Sequence, residues 1–437
     1  MTAIPGRVTV LAGMRIFLPT WLAVAAAATA EDWPQWRGTG GDAVVAGEPS
    51  GWTGKNWFVS TEWIREVGQG CTSPIAVGER VYVMGRRAGK DHVYCLNVKD
   101  GSERWQQSYP SPEHGRHAVG DKNRYGGPTA TPVYDQATGL LFTLGCDGQL
   151  GCWQTREQGK QTWSFNLYDR YKMPRRPSTG GGQRDYGYIT APFVYRDLAI
   201  VQVGGEEGAL MAFKSTTGEA VWRSECLDQA GHCGGMAAIM VEGRPCLAAL
   251  TLHRLVVVAL DGARPGGTVA EYAWETEWAN SIPSPAVAGS RVLLTSAYNQ
   301  KRTVCLEIAP GTVRELWRAA YYSGVCTPVV CDGLVYMADR SLHCLSLATG
   351  VLLWRGGKHG SEGSCLAAAD GRIVVLGSDG LSLVESGTRS PDHMLELARA
   401  EGVSGKSAFW PQVVLANSRI YCKDSAGRLQ CHRVGVQ

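Results

Sequence analysis

The sequence lacks the short motifs by which many enzymes are recognised from residue spacing. It has no G-x-S-x-G motif, no C-x-x-C-H motif and no two adjacent cysteines. The first absence argues against the nucleophile elbow of α/β-hydrolases, and the second argues against covalent haem attachment. No pair of carboxylates stands out as a catalytic acid and base. Local motifs therefore point to no reaction.

Strong charge and helical periodicity are also missing. Charged residues make up 19% of the 437 residues and the net charge is +3, so no overall field attracts nucleic acid or anionic lipid. Outside the N-terminal region, no stretch repeats apolar residues with the 3.6-residue period of a helix. This pattern argues against a helical solenoid, and no nucleic-acid partner is expected.

The one long apolar run lies at the N-terminus. Residues 14–30, MRIFLPTWLAVAAAATA, place Arg15 before an apolar stretch that ends on small residues at Ala30. This order is typical of a secretory signal peptide. The run is too short and too rich in alanine to span a membrane well, and no other stretch approaches a spanning helix. We therefore expect a signal peptide over residues 1–30, cleavage near Ala30, and a periplasmic or extracellular protein.

The strongest pattern in the sequence is a repeat. The stretch CLNVKDGSERW at 95–105 combines a small or apolar strand, a glycine-containing turn and a tryptophan. Related stretches lie at 152–163, 211–222, 305–317 and 344–354. A second pattern precedes each of these stretches and consists of a proline, a short apolar strand, a turn and another apolar strand. It lies at 72–84, 130–144, 190–203, 283–296 and 326–339. Four strands, here named A to D, in each period of about 40 to 60 residues predict a β-propeller.

The repeats add up to eight blades. Five units end on clear tryptophans, a sixth ends at Trp274 after a degraded turn, and a seventh has Met394 or Leu395 in place of tryptophan. The last unit has only strands A to C, and STEWIREVG at 60–68 supplies its missing strand D. An N-terminal strand that completes the last blade closes the ring and removes exposed sheet edges. Two stacked sandwiches or a seven-bladed ring are the alternatives.

The predicted fold is thus all-β, an eight-bladed β-propeller of four-stranded antiparallel blades. The expected organisation is a signal peptide at 1–30, an N-terminal extension at 31–59 and the propeller at 60–437. Met1 and Met14 are both candidate start residues. The chain is expected to be a monomer.

Tryptophans and cysteines recur at fixed places in the repeat, which indicates packing rather than chemistry. The tryptophans interpreted as structural are Trp63, Trp105, Trp163, Trp222, Trp274, Trp317 and Trp354. The cysteines that share a position in strand C are Cys95, Cys152, Cys305, Cys344 and Cys431. Cys71, Cys326 and Cys365 lie in or beside strand A and are interpreted in the same way. Cys226 and Cys233 flank one D–A connection and are the candidate pair for a disulfide.

These repeats resemble the quinoprotein-type propellers, the family whose repeats are named for pyrroloquinoline quinone (PQQ). The resemblance rests on the G-x-x-x-W turns, the Ser, Thr or Ala before proline at strand A, and the strand D tryptophan, and it covers nearly all of the chain after residue 30. The stretch DWPQWRGTGGD at 32–42 is similar to the start of an exported bacterial subgroup of mostly unassigned function.

The resemblance implies one of two functions. Dehydrogenases of the family carry PQQ and calcium, with an adjacent pair of cysteines on the quinone, a tryptophan beneath it, and Glu, Asn and Asp on the calcium. Other members are non-catalytic scaffolds that bind proteins and carry no cofactor. This chain has no adjacent cysteines, and we place no calcium ligands on any blade. No metal site is expected either, because His114 and His117 form only a lone H-x-x-H.

Two enlarged D–A connections, at 109–127 and 168–188, are rich in arginine, lysine and tyrosine. Together with the B–C loops at 85–92 and 297–302 they predict a basic, aromatic face. The best candidates for ligand binding are Arg124, Tyr125, Arg184 and Tyr186, while His232 near the channel is expected to be structural. Solvated loops that bind nothing are the alternative.

The expected function is an exported, non-catalytic propeller that binds a protein or a polysaccharide through this face, with an anionic partner favoured. The alternative is a PQQ-dependent alcohol or sugar dehydrogenase with a degenerate cofactor site.

Overall fold

The computed structural model describes residues 31–47, 52–112, 126–174, 185–403 and 410–436. The predicted signal peptide at 1–30 lies outside the described residues. Among the described residues, no helix is long and apolar enough to cross a membrane.

Nearly all of the regular secondary structure in the described chain consists of short strands. In chain order the first sixteen are β1 (Trp57–Glu66), β2 (Ile75–Val77), β3 (Arg80–Arg87), β4 (Lys90–Asn97), β5 (Glu103–Pro110), β6 (Val133–Asp135), β7 (Leu140–Leu144), β8 (Gln149–Gln154), β9 (Lys160–Asn166), β10 (Phe193–Tyr195), β11 (Leu198–Gln202), β12 (Leu210–Lys214), β13 (Ala220–Arg223), β14 (Ala237–Val241), β15 (Arg244–Leu250) and β16 (Arg254–Ala259). The others are β17 (Thr268–Ala273), β18 (Ala286–Ala288), β19 (Arg291–Ser296), β20 (Arg302–Ala309), β21 (Thr312–Ala319), β22 (Val329–Cys331), β23 (Leu334–Ser346), β24 (Leu352–Gly360), β25 (Ser364–Ala367), β26 (Ile373–Gly377), β27 (Gly380–Val384), β28 (Glu396–Ala400), β29 (Val414–Ala416), β30 (Arg419–Lys423) and β31 (Arg428–Val436).

Within the described ranges, helical structure is limited to single turns. The helix α1 spans Leu167–Tyr171, and three 3₁₀ turns span Thr155–Glu157, Gly205–Glu207 and Glu277–Ala279.

The strands form eight antiparallel sheets, each the blade of a ring. Blade one is β2–β5, and consecutive sets of strands continue to blade seven, β25–β28. In blade six, strands B and C are joined in the single element β23. Blade eight combines β29, β30 and β31 with β1, whose Trp63 lies opposite Cys431. The predicted eight-bladed ring, closed by an N-terminal strand, is therefore confirmed.

A tryptophan of strand D packs against the next blade. In blade eight, the Trp63 indole Nε1 donates to the Val98 carbonyl at 2.8 Å. Its ring lies on Gly101, where a Cβ would approach ring carbons to 2.6 Å. Gly101 also has a φ of +66°, so the Asp-Gly of the first repeat satisfies both the turn and the packing. Trp163, Trp317 and Trp354 donate to turn carbonyls in the same manner.

Six of the seven predicted tryptophans occupy one structural position. Each lies opposite the strand C residue that precedes a β-bulge, as Trp105 does opposite Cys95. Blade four differs, because Ala270 lies opposite Val257 at this position and Trp274 comes four residues later. Trp274 is fully buried, but it packs beyond the end of β17 rather than in the repeat position.

Blade seven also departs from the sequence prediction. Its tryptophan position is occupied by Ala398, opposite Leu383, and not by Met394 or Leu395. The bulge between Leu383 and Val384 has the same place as in the other blades. Small residues therefore replace the indole in blades four and seven, where no large ring is needed to keep the blade geometry.

The five cysteines predicted to share a strand C position do so, and four of them lie directly opposite a strand D tryptophan within their blade. The fifth, Cys431, lies opposite Trp63 from the other end of the chain. All 14 cysteines are free thiols. Cys226 and Cys233 are among them and are buried in different hydrophobic clusters, so the suggested bridge between them stays a prediction.

Residues 31–47 of the N-terminal extension fill the centre of the ring, and we refer to them as the plug. Trp33 exchanges backbone hydrogen bonds with Ala76 of β2, and Val45 donates to Ala367 of β25. Asp32 accepts the N–H of Gly78 in the A–B turn of blade one, so the plug enters from the face of the A–B turns. Both ends of the plug thus pair with strand A of different blades, which fixes it along the axis.

Candidate functional site

The D–A connections meet around the axis and form a cup on the face opposite the plug's entrance. Residues from seven of the eight connections line it, and its volume is about 260 Å³. Its aromatic members are Trp36, Tyr186, Trp278, Tyr298 and Trp410. Among the described residues, its lining contains no lysine, arginine, aspartate or glutamate. The cup therefore offers ring faces and a few neutral polar groups.

The floor of the cup is Trp36 of the plug. Its Nε1 donates to Ser284 Oγ at 3.0 Å. Its ring lies against Gly234 and Gly235, where an added Cβ would overlap ring carbons. Trp36 also lines a second cavity, of about 250 Å³, on the side of the plug. Because one indole lies between the two cavities, the cup is closed at its base.

Trp278 and Tyr298 form one wall of the cup. Their rings are edge to face, with centroids 6.4 Å apart. Trp278 has φ 56° and ψ 21°, in the left-handed region that bulky residues avoid at a cost of about 1–2 kcal/mol. It is nevertheless 43% exposed. A large ring that is held in an unfavourable backbone conformation and presented to solvent is typical of a functional position.

Tyr186 and His232 form the adjoining wall. The Tyr186 backbone N–H points to His232 Nε2 at 3.4 Å, and the two rings are edge to face at 5.0 Å. Because Nε2 accepts, the proton is assigned to Nδ1, which donates to the Ala279 carbonyl at 3.1 Å. Both ring nitrogens of His232 are thus used within the fold, in agreement with a structural role.

A wider groove of about 810 Å³ opens from the cup over blades five and six. The two cavities share Tyr298, Val325 and Trp410, so they form one continuous surface. Tyr321 and Tyr322 add further aromatic surface along the groove.

The groove contains cations without ion pairs. Lys301, Arg340 and Arg355 are exposed, and none pairs with a carboxylate of the residues that the structure describes. Other surface arginines do pair; Arg314, for example, lies 2.6 Å from Glu307. The unpaired cations leave the groove able to accept an anionic group.

Two carboxylates also line the groove. Asp339 Oδ2 accepts the Gly324 N–H at 2.8 Å, and burial raises the pKa of Asp339. Through this hydrogen bond, the Asp339 carboxylate holds the connection between blades five and six. Glu362 is half-buried at the far end. Three cations therefore face two carboxylates, one of which already bonds to the backbone.

Only one of the four residues predicted to bind a ligand, Tyr186, is among the residues that the structure describes. Tyr186 lines the cup, and the B–C loop at 297–302 lines both cavities, whereas the loop at 85–92 lines neither. The remaining predicted residues and the H-x-x-H pair lie outside the described residues: Arg124, Tyr125, Arg184, His114 and His117.

Sequence reasoning missed Trp36, Trp278 and Trp410 as lining residues. The available signal is that all three fall outside the repeated tryptophan position. A tryptophan that does not serve the repeat has another reason to be present, and here three such residues converge on the axis.

The fold defines this chain as an eight-bladed β-propeller, with a plugged axial cup. The family model for the outer membrane protein assembly factor BamB matches residues 60–177 and 159–356, more than half of the chain. The chain belongs to this family.

Solved structures share the fold at low sequence identity. BamB from Moraxella catarrhalis is 14% identical with a TM-score of 0.56, over 86% of this chain and 100% of that one. Quinohemoprotein alcohol dehydrogenase from Comamonas testosteroni is 14% identical with a TM-score of 0.59, over 92% and 80% of the two chains. At such identity the likeness establishes the fold alone. No curated protein matches the sequence.

Proposed function

We propose that this protein is an exported, non-catalytic propeller that binds an acidic polysaccharide across the cup and the groove. The observation that carries the proposal is the continuity of an aromatic cup with a groove whose cations are unpaired. The cup receives a sugar ring, and the groove receives the carboxylates of the neighbouring sugars.

The aromatic lining suits a pyranose ring. The C–H face of a sugar is apolar and packs on an indole, while its hydroxyls need polar partners around the edge. Trp36 and Trp278 supply indoles, and Asn280 and Thr129 supply amide and hydroxyl groups. A concave apolar site with a few polar groups is the usual form of a small-ligand pocket.

The groove determines the charge of the ligand. Arg340 and Arg355 present guanidinium groups that match the planar geometry of a carboxylate. A uronic acid polymer carries one carboxylate on each sugar, so a chain anchored in the cup brings its next carboxylates to these cations. A neutral glycan gains nothing from them.

The donor set gives less support to the dehydrogenase alternative. PQQ is a polycarboxylate, and the described residues that line the cup provide no cation for it. Within the described ranges, no group of three or more His, Cys, Asp and Glu residues is placed to hold a metal ion. The side chains of the cup therefore suit a sugar ring better than they suit the quinone and calcium.

The test is a titration of the purified protein with polygalacturonate and with neutral dextran at low and high salt. We expect binding to polygalacturonate that weakens with salt, and none to dextran. Trp278→Ala should weaken binding about tenfold or more, since stacking on a large ring contributes about 1–3 kcal/mol. Arg340→Gln and Arg355→Gln should each weaken it several-fold.

Arg314→Gln is the matched control, because Arg314 is exposed but ion-paired beside the C–D turn, on the other face. It should bind like the unmodified protein. Failure of any acidic glycan to bind, or full binding by Trp278→Ala, contradicts the proposal. Capture of an acidic peptide by the same residues would instead favour a protein partner, as the name of the assembly factor suggests.

A further inference from the structure

Two thiols from neighbouring blades meet at the wall of the central channel. Cys326 lies just before β22 of blade six, and Cys365 lies in β25 of blade seven. Their Sγ atoms are 3.7 Å apart, and both side chains are buried, at 2% and 0% exposure. The 38 residues between them include all the strands of blade six. The two sulfurs therefore connect two blades at their innermost strands.

The plug supplies a positive charge beside the pair. Arg37 is 1% exposed, and its Nη2 donates to the carbonyls of Pro328 and Asp42 at 2.6 and 2.7 Å. Its Nε and Nη1 have no hydrogen-bond partner among the described residues. A buried guanidinium with unused donors favours negative charge nearby, which comes first from the Asp42 carboxylate and then from the neighbouring sulfurs.

The two thiols are not equivalent. The pKa of Cys326 is lowered, first by a hydrogen bond from Cys365 and also by the charge of Arg37. The pKa of Cys365 is raised by its hydrogen bond with Cys326 and by burial. Of the two thiols, Cys326 therefore ionises more readily, and thiolates are the nucleophiles of disulfide exchange.

We propose that Cys326 and Cys365 form a disulfide that fastens blade six to blade seven behind the plug. The oxidant is a disulfide of the glutathione or dithiol-oxidase class, as found in compartments that receive exported proteins. The Cys326 thiolate attacks one sulfur of the oxidant and releases the first thiolate. Cys365 then loses its proton and attacks the Cys326 sulfur of the mixed disulfide, which releases the second. Two thiols are oxidised, and one disulfide is reduced to two thiols.

The order of events follows from burial. Both sulfurs are inaccessible once the ring and plug are complete, so exchange occurs while blades six and seven are still open. The sulfur separation exceeds the 2.05 Å of an S–S bond, and side-chain rotation is needed to close it. Sequence spacing gave no sign of this pair, because 38 residues and a whole blade lie between its members.

The test is to refold the full chain from denaturant with oxidised or with reduced glutathione. Free thiols are then alkylated in denaturant, and the peptides are mapped by mass spectrometry. We expect a Cys326–Cys365 cross-linked peptide only after the oxidising treatment. The cross-linked protein should melt roughly 5 °C higher than the reduced one, as for a loop of this length.

Cys326→Ser with Cys365→Ser is the double variant that should abolish this difference, and Cys226→Ser with Cys233→Ser is the matched control that should retain it. Full alkylation of both thiols after the oxidising treatment overturns the proposal. So does a cross-link that uses other cysteines, or a soft metal ion held between two unoxidised sulfurs. If the variants do not fold, peptide mapping of the unmodified chain still decides the question.

Discussion

The clearest stability prediction concerns a buried carboxylate on the same face as the cup. Asp91 lies near the start of β4 in blade one. It is 1% exposed, and its Oδ1 has no hydrogen-bond partner among the described residues. Burial, and then the charge of Asp147, raise the pKa of Asp91 to about 7, against the opposing effects of Ser111 and Arg86. We therefore choose Asp91→Asn, which keeps the shape and removes the charge.

The magnitude follows from the difference between the folded and unfolded pKa values. A carboxyl that titrates at about 7 in the folded chain and at 3.8 when unfolded is stabilising only while it is protonated. Its contribution is complete below pH 3.8 and is lost as the pH rises to 7. At about 1.4 kcal/mol per pKa unit, the loss is roughly 4 kcal/mol at pH 8 and about 2 kcal/mol at pH 5. Asp91→Asn should therefore stabilise the protein, and do so more at pH 8.

The assay is urea unfolding of both proteins between pH 5 and pH 8. The control is Asp392→Asn, which removes an exposed carboxylate from a loop. We expect the gain from Asp91→Asn to grow with pH and the control to show no such trend. A gain that is equal at pH 5 and pH 8, or a loss at pH 8, would refute the reasoning.

Two further predictions concern the closing seam and the plug. Burial lowers the pKa of His432, opposite Thr61 in the seam between β31 and β1, to about 4. As the pH falls, His432 is therefore protonated in the unfolded chain before it is protonated in the folded one. The free energy of unfolding drops by roughly 3 kcal/mol between pH 6.5 and pH 4. His432→Gln should remove most of that drop, as measured by thermal unfolding. Gly235→Ala should expel the Trp36 indole, which raises acrylamide quenching of tryptophan fluorescence and weakens polygalacturonate binding. Unchanged quenching would show that Trp36 is not held as described.

The sequence predicted the ring because most blades repeat the same local pattern. In four of them a glycine turn, a strand C cysteine and a strand D tryptophan lie within about a dozen residues of one another, so spacing alone reveals them. Closure was predictable for a related reason: the last unit lacks one strand, and residues 60–68 have the missing pattern. The seam between β1 and β31 follows.

Spacing failed where the repeat was degraded. The positions of Trp274 and of Met394 suggested the repeated tryptophan, but the β-bulge places Ala270 and Ala398 there. A β-bulge adds one residue to a strand. Where no tryptophan stands at the repeat position, the sequence does not show on which side of the bulge a residue lies.

The candidate site was only partly predictable. Tyr186 was found because its connection is unusually long, and unusual length is visible in the sequence. The other tryptophan rings come from the plug (Trp36), from a left-handed turn (Trp278) and from the last D–A connection (Trp410). More than a hundred residues separate each of these tryptophans from the next in the sequence.

The sequence by itself determined the blade number, the strand pattern and the closing strand, since these depend on interactions that recur within each blade. The tertiary structure decided the rest. Only when the ring closes do Trp36, Trp278 and Trp410 share one cup, and only then do Cys326 and Cys365 face each other. Contacts between elements far apart in the chain carry no period, so they become visible only once the backbone has brought them together.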